Sequence, residues 1–141
     1  MARIDPYRNF RFLIEIDGIT QAGFNDCSGF GSSTDPIEYR EGGEPSYTRK
    51  LPGQTKYNNV VLKWGITDSK ELHDWYTQIV KGQIVRKNGS IVLMDTEGTE
   101  KIRWNFFDAW PTKYTAPELS AKANDIAIDA MELAVERLER A

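Results

Sequence analysis

The chain has one cysteine and one histidine in 141 residues, and each scarcity excludes a class of chemistry. Cys27 alone can neither close an intramolecular disulfide nor build a thiolate metal site. His73 alone rules out histidine clusters and paired-imidazole catalysis. Nucleophile and phosphate motifs are missing too: there is no G-x-S-x-G and no G-x-x-x-x-G-K-[ST]. Gly29 and Gly31 stand at G-x-G spacing in "GFGSST", but no third glycine and no helical pattern follow, so dinucleotide binding is not supported. Positive charge is not in excess, with 18 Lys and Arg against 21 Asp and Glu, which argues against a nucleic-acid surface. No apolar run reaches the length of a membrane span, and "MARIDPYRNF" lacks the apolar core of a signal peptide. Synthesis and folding in a cytoplasm are therefore expected. No cofactor and no metal are implied, and the expectation is that the protein is not an enzyme.

What is present is an ordinary globular composition, with 40% hydrophobic and 11% aromatic residues, enough for one domain over residues 1–141. "FRFLIEID" alternates, with Phe10, Phe12, Ile14 and Ile16 on one face and Arg11, Glu15 and Asp17 on the other; Leu13 is the exception. That pattern predicts a half-buried strand with one polar face. "GFNDCSGFGSS" reads as a second strand that breaks up at Gly29 and Gly31, and "NNVVLKWGI" as a third, with Val60, Leu62 and Trp64 aligned. Asn88-Gly89 favours a type I′ hairpin turn. "DTEGTEK" is another turn, and "KIRWNFFDAW" aligns Ile102, Trp104 and Phe106 on one face of a strand.

One helix is predicted over about 69–81. Asp68 and Glu71 have capping-box spacing, and Gly82 suits the C-terminal cap. Leu72, Trp75, Tyr76 and Ile79 form its core face, with Val80 on the same stripe, while Lys70, Asp74 and Gln78 face water. The C-terminal "NDIAIDAMELAVERLERA" is in conflict with itself. Its composition favours helix, but Ala127, Asp129, Met131, Leu133 and Val135 also alternate as one face of a strand.

Smaller features have bland readings. His73 reads as a solvated helix residue and Cys27 as a small buried hydrophobe. Asp95 and Glu97 are too few oxygen ligands for a calcium loop and fit a turn. Asn88-Gly89-Ser90 matches a glycosylation acceptor, but without a secretory signal it reads simply as a turn. Arg49, Lys50, Arg86 and Lys87 read as solvated turn and loop charges.

The segment "EYREGGEPSYTRKLPGQTKY", residues 38–57, fits none of these patterns. It carries two adjacent glycines, two prolines and many charges, yet Tyr39, Tyr47, Leu51 and Tyr57 give it apolar groups to bury. Loops of such length are usually functional or disordered, and a surface loop with no partner is the bland reading. An extended loop over about 36–57 is the expectation. It makes physical sense as an arm laid across a neighbouring subunit, because a small β protein must cover its open sheet edges.

Together with "DPYRNFRFLIEIDG", "CSGF" and "DWY", the ordered series "EYREGG", "RKLPG" and "KWGITDS" resembles the tail tube protein family. That family supplies the inner tube of contractile phage tails, contractile injection systems and pyocin-like tailocins. The resemblance implies a mostly β (α+β) fold, a small antiparallel β-barrel or sandwich with one flanking helix, similar to the type VI secretion tube protein. It places a strand at the C-terminal segment. It also implies hexameric rings, joined edge to edge and stacked head to tail into a hollow tube that sheath contraction drives through an envelope. The implied partners are further copies of the chain, a sheath protein, baseplate, spike and terminator proteins, and a tape-measure protein or cargo in the lumen. The implied location is a phage tail or released phage-tail-like particle assembled in a cytoplasm. On this reading the assembly arm comprises Tyr39, Arg40, Glu41, Gly42, Gly43, Glu44, Tyr47, Arg49, Lys50, Leu51, Pro52 and Tyr57, and Arg11, Glu15 and Asp17 are candidates for the lumen face. The alternative is a monomeric β-barrel that binds a small ligand or single-stranded nucleic acid, resting on Trp64, Trp104 and Trp110; but aromatics at period two are ordinary core, and an acidic protein is a poor strand binder.

Overall fold

The computed structural model describes residues 11–19, 24–39, 42, 48–66, 70–119, 121 and 127–141. Within them the order is β1 (Arg11–Ile16), β2 (Phe24–Ser28), β3 (Ser32–Tyr39), β4 (Arg49–Tyr57), β5 (Val60–Gly65), α1 (Glu71–Val80), β6 (Lys87–Met94), β7 (Glu100–Thr115), β8 (Ile128–Ala134) and β9 (Arg137–Arg140). The fold is mostly β with one short helix, as the residue patterns and the resemblance both implied. Every strand pairing is antiparallel.

The sixteen-residue β7 organises the molecule. Its first part pairs with β6 and β9, continuing to β1, and its last part pairs with β8, continuing to β5 and β2. The change of sheet falls at Asp108, whose backbone is left-handed (φ 54°). The Asp108 N–H donates to Asn88 Oδ1 at 3.0 Å, and the Asn88 carbonyl accepts from the Asp17 N–H at 3.0 Å. Asn88 thus ties the corner of β7 to the end of β1.

This corrects the reading of Asn88-Gly89 as a hairpin turn. Both residues lie inside β6, with Gly89 paired to Ile16 on one side and Phe106 on the other. A Cβ at Gly89 would stand 2.3 Å from the Phe106 ring and 2.5 Å from the Glu15 carbonyl. Glycine is needed here for close approach, not for a turn. The β6–β7 turn is the other one predicted, where Asp95 Oδ1 accepts from the Glu97 and Thr99 N–H groups at 3.0 and 2.9 Å.

The two sheets enclose one core. Ile14, Ile16, Ile91 and Phe106 come from the β1-β6-β7-β9 side; Val60, Leu62, Trp64, Met131 and Leu133 come from the β2-β5-β8 side. Leu72 and Trp75 of α1 join the same core, and the Trp75 indole N–H donates to the Val85 carbonyl at 2.7 Å. Of the predicted helix face, Tyr76 packs against the core, Ile79 is half-exposed, and Val80 is solvent-facing at 68% exposure. Val80 leaves the stripe because the last helical turn has passed the edge of the core. The helix starts at Glu71 with Lys70 in the capping position and no side-chain cap; the predicted cap Asp68 lies outside the described residues. It ends as predicted at Gly82 (φ 88°), where the Gly82 and Gln83 N–H groups donate to the Ile79 and Gln78 carbonyls.

The described part of the C-terminal segment, from residue 127, forms β8 and β9 and not a helix; residues 124–126 lie outside the described residues. Asp129, Met131 and Leu133 of β8 are buried on one face, and β9 follows. Propensity loses here because the alternating face has the sheet to pack on.

Candidate assembly surfaces

The stretch expected to be a loop over about 36–57 is largely a two-stranded ribbon. β3 and β4 pair only with each other among the described strands, with Ile37 opposite Leu51, Glu38 opposite Lys50 and Tyr39 opposite Arg49. Pro36 faces Pro52 beside a register shift, a place where neither proline removes a bond that another strand needs. Thr34 and Thr55 share a hydroxyl–hydroxyl bond of 2.8 Å, and Lys56 stands 3.8 Å from Asp35. All eight residues of β3 are exposed, and of β4 only Gly53 and Tyr57 are partly covered. Ile37 and Leu51 form a cross-strand apolar pair at 52% and 47% exposure. Tyr39 is 42% exposed. The ribbon therefore presents exposed apolar surface at Ile37 and Leu51.

Of the twelve arm residues named from sequence, Tyr39, Arg49, Lys50, Leu51, Pro52 and Tyr57 lie on this ribbon and Gly42 lies in the connection between its strands. Arg40, Glu41, Gly43, Glu44 and Tyr47 lie outside the described residues. Ile37 was missed because, read alone, it sits between a proline and an acid with no visible alternation.

The second surface is the outward face of the β1-β6-β7-β9 sheet. Arg11, Glu15 and Asp17 are all exposed there or at its rim. Across the strands, Glu15 lies beside Ser90, Ser90 beside Asn105, and Asn105 beside Glu139. Ser90 donates to Asn105 Oδ1 at 2.6 Å. Arg103 on β7 bonds Glu15 at 2.9 Å and Glu100 at 2.7 Å, so the face carries both signs of charge in fixed pairs. The hydrogen bond and charge of Arg103 hold the Glu100 carboxyl below its usual range, and the two acids in turn push the Arg103 guanidinium above its own. Arg137 lies over the Phe107 ring at 4.2 Å and bonds Glu139 at 3.2 Å. Arg103 escaped the sequence reading because only strand register puts it beside Glu15, and Arg137 and Glu139 because only register puts them on the same face of the sheet.

Among the described residues no enzyme-like constellation emerges. Among the described residues no three His, Cys, Asp or Glu side chains are grouped to hold a metal. Cys27 is partly buried, and burial pushes its thiol up to about 12. His73 is exposed on α1 and meets the Tyr114 ring edge-on at 5.1 Å. Tyr114 donates to buried Asp129 at 2.8 Å; burial first, then that bond, raises its phenol to about 12. Trp64 is buried in the core, and Trp104 packs on Phe30 at 5.1 Å, so neither lines a barrel mouth. Arg86 is tied to Glu136 at 3.1 Å, and Lys87, read as a turn charge, opens β6 and lies 5.9 Å from the Trp75 ring.

Residues 8–139 match the family described as T4-like virus tail tube protein gp19. A chain of the sheath/tube terminator of an extracellular contractile injection system (PVC, extended state) is 34% identical, with 99% of each chain covered and a TM-score of 0.89. A chain of the anti-feeding prophage tube-terminating cap is 31% identical over 100% of this chain and 94% of its own, with a TM-score of 0.88. Hcp1 from Flavobacterium johnsoniae, at 15% identity, 94% and 95% coverage and a TM-score of 0.65, shares the fold. Among curated proteins none matches.

Proposed function

The chain belongs to the T4-like virus tail tube protein family, and from that premise we infer that it is a structural subunit of the inner tube of a contractile injection particle, not an enzyme. The observation that carries this reading is whole-chain similarity at 34% identity to a chain of a sheath/tube assembly. Copies of the chain close into hexameric rings, and the rings stack into a hollow tube. A sheath contracts around that tube, and baseplate and terminator proteins bound its ends. The lumen holds a tape-measure protein or cargo. The particle is of the phage-tail-like extracellular kind, assembled in a cytoplasm.

Two surfaces divide the work. The β3–β4 ribbon, with Ile37, Tyr39 and Leu51, is the assembly arm and covers its apolar pair on a neighbouring subunit. Burying the exposed part of two aliphatic side chains is worth about 1–3 kcal/mol per contact, and the ring repeats it at every junction. Glu38, Arg49 and Lys50 set its register by charge pairing. The mixed-charge face bearing Arg11, Glu15 and Asp17 lines the lumen, where paired charges keep the wall hydrated and offer passing cargo no net field to bind.

Negative-stain electron microscopy of the purified protein, alone and with its co-encoded sheath and baseplate components, tests this. Sixfold rings or tubes are the expected result. A protein that stays a lone monomer with all those components present overturns the reading.

A further inference from the structure

We propose that Asn88-Gly89 is a latent self-modification site: the folded corner holds it shut, and a chain left unfolded deamidates there to a form that cannot rebuild β6. This goes beyond the tube reading and rests on no part of it.

The chemistry is that of asparagine followed by glycine. The Gly89 backbone nitrogen attacks Asn88 Cγ. The new N–C bond forms as the Cγ–Nδ2 bond breaks, and ammonia leaves carrying the Gly89 amide proton. Water then opens the cyclic imide at either carbonyl, leaving aspartate or isoaspartate at position 88. Glycine favours the attack because it has no side chain in the way and lets the backbone turn. Asn88 is the one asparagine of this chain that precedes a glycine.

The corner imposes both members of this labile pair. A Cβ at Gly89 would stand 2.3 Å from the Phe106 ring and 2.5 Å from the Glu15 carbonyl. Asn88 Oδ1 accepts from the Asp108 N–H at 3.0 Å, where β7 changes sheet through a left-handed residue. Alanine at 89 would clash, and an aliphatic residue at 88 would leave the Asp108 N–H without this partner. The fold thus retains a dipeptide whose own chemistry threatens it.

Conformation, not burial, protects the pair. Asn88 is exposed, and both residues line an open depression with Glu15, Asp17, Ser90 and Asn105. In antiparallel ladders, alternate residues point both backbone groups at one neighbour. The Asp17 N–H donates to the Asn88 carbonyl, so Asn88 faces β1 and Gly89 faces β7, opposite Phe106. On β7 the Arg103 and Phe107 carbonyls accept from the Ala141 and Glu136 N–H groups, so those residues face β9 and Phe106 faces β6. Both alternations commit the Gly89 N–H to a ladder bond with Phe106. The attacking nitrogen is held by β7 and the carboxamide by Asp108. Reaching the imide requires β6, an inner strand, to leave β7 at this point. Inner strands open with free energies near that of global unfolding. The folded chain should therefore deamidate at least about 10³-fold more slowly than the unfolded one.

Isoaspartate is the damaging product. It routes the main chain through the former side-chain carbon and so inserts an extra backbone atom just before Gly89. β6 is read from both sides, with Gly89 opposite Ile16 and Phe106, and its ladder with β7 already shifts register between Lys87 and Gly89. The extra atom would displace Ser90, Ile91 and Val92 from Glu15, Ile14 and Leu13. Ile91 and Val92 are both buried, so the displacement has nowhere to go.

The test needs only the wild-type chain. Native and urea-unfolded protein are incubated side by side at mildly alkaline pH, with further samples at urea concentrations across the unfolding transition. The tryptic peptide 88–101 is then read by mass spectrometry, with the aspartate and isoaspartate forms separated by chromatography. Steady conversion is expected in the unfolded pool and none detectable in the native pool, with a rate across the transition that follows the unfolded fraction. After dilution out of urea, isoaspartate chains should be missing from the refolded monomer. Equal rates in native and unfolded protein, an unfolded pool that keeps Asn88 intact, or isoaspartate chains recovered as folded monomer would each overturn the proposal. None of these outcomes bears on whether the chain forms rings, which microscopy decides separately.

Discussion

The β3–β4 ribbon and the two core sheets are built from the same antiparallel pairing, yet differ in what stabilises them. In β5, Val60, Leu62 and Trp64 are almost wholly buried, with partners from β8 and α1. In β3, every residue is exposed, and the only strand partner among those described is β4. An isolated two-stranded ribbon is marginal in water. This one keeps two proline-bearing strands and an uncovered aliphatic pair, which a chain folding only for itself would have no reason to retain. The core sheets carry the fold of the subunit; the ribbon is the surface that, on the proposed function, a neighbour completes.

That contrast can be broken or sharpened by substitution, starting with the largest effect on the monomer. Trp75→Ala removes a side chain 2% exposed and orphans the Val85 carbonyl. It should cost about 3–5 kcal/mol in a denaturant melt, and an unchanged melt would show that α1 is not part of the core. Gly89→Ala forces a methyl into the Phe106 ring and the Glu15 carbonyl. A loss of about 1–3 kcal/mol is expected, and wild-type stability would mean that the neighbouring strands β1 and β7 can shift freely at this position.

Acid titration should act on the β6–β7 turn and on the polar face. The Thr99 and Glu97 N–H groups and Lys101 hold the Asp95 carboxyl below its ordinary value, and Arg103 does the same for Glu100. A carboxyl depressed in the folded state contributes stability above its unfolded value, and that contribution is lost as pH falls through the folded value. Asp95→Asn and Glu100→Gln should therefore lower the melting temperature slightly near neutrality and converge with wild type in strong acid. A gap that widens on acidification would contradict the assignment.

The smallest effect on the monomer belongs to the ribbon. Replacing residues 42–52 with a short Gly-Ser linker should leave the melt unchanged while abolishing tube growth under the microscope. Full-length tubes from that variant would remove the arm from the assembly; a large drop in melting temperature would show that the ribbon supports its own subunit after all.

Sequence alone determined the elements whose side chains report their own surroundings. Alternation in β1 and β5 and the helical stripe of Leu72 and Trp75 are local patterns, legible because each buries one face against something, whatever that something is. Gly82 was legible too, since a left-handed residue after a helix depends on its immediate neighbours alone. Tertiary structure decided everything that rests on who sits across the strand. Asn88-Gly89 has the composition of a turn, but Phe106 and Ile16 flank Gly89 from strands distant in sequence, and only that crowding makes it a close-packing site. The polar face likewise joins Glu15 to Arg103, eighty-eight residues apart, by register and not by spacing. The same holds for the ribbon: glycine, proline and charge marked residues 38–57 as unusual, while the pairing of β3 with β4 required partners that no short window contains.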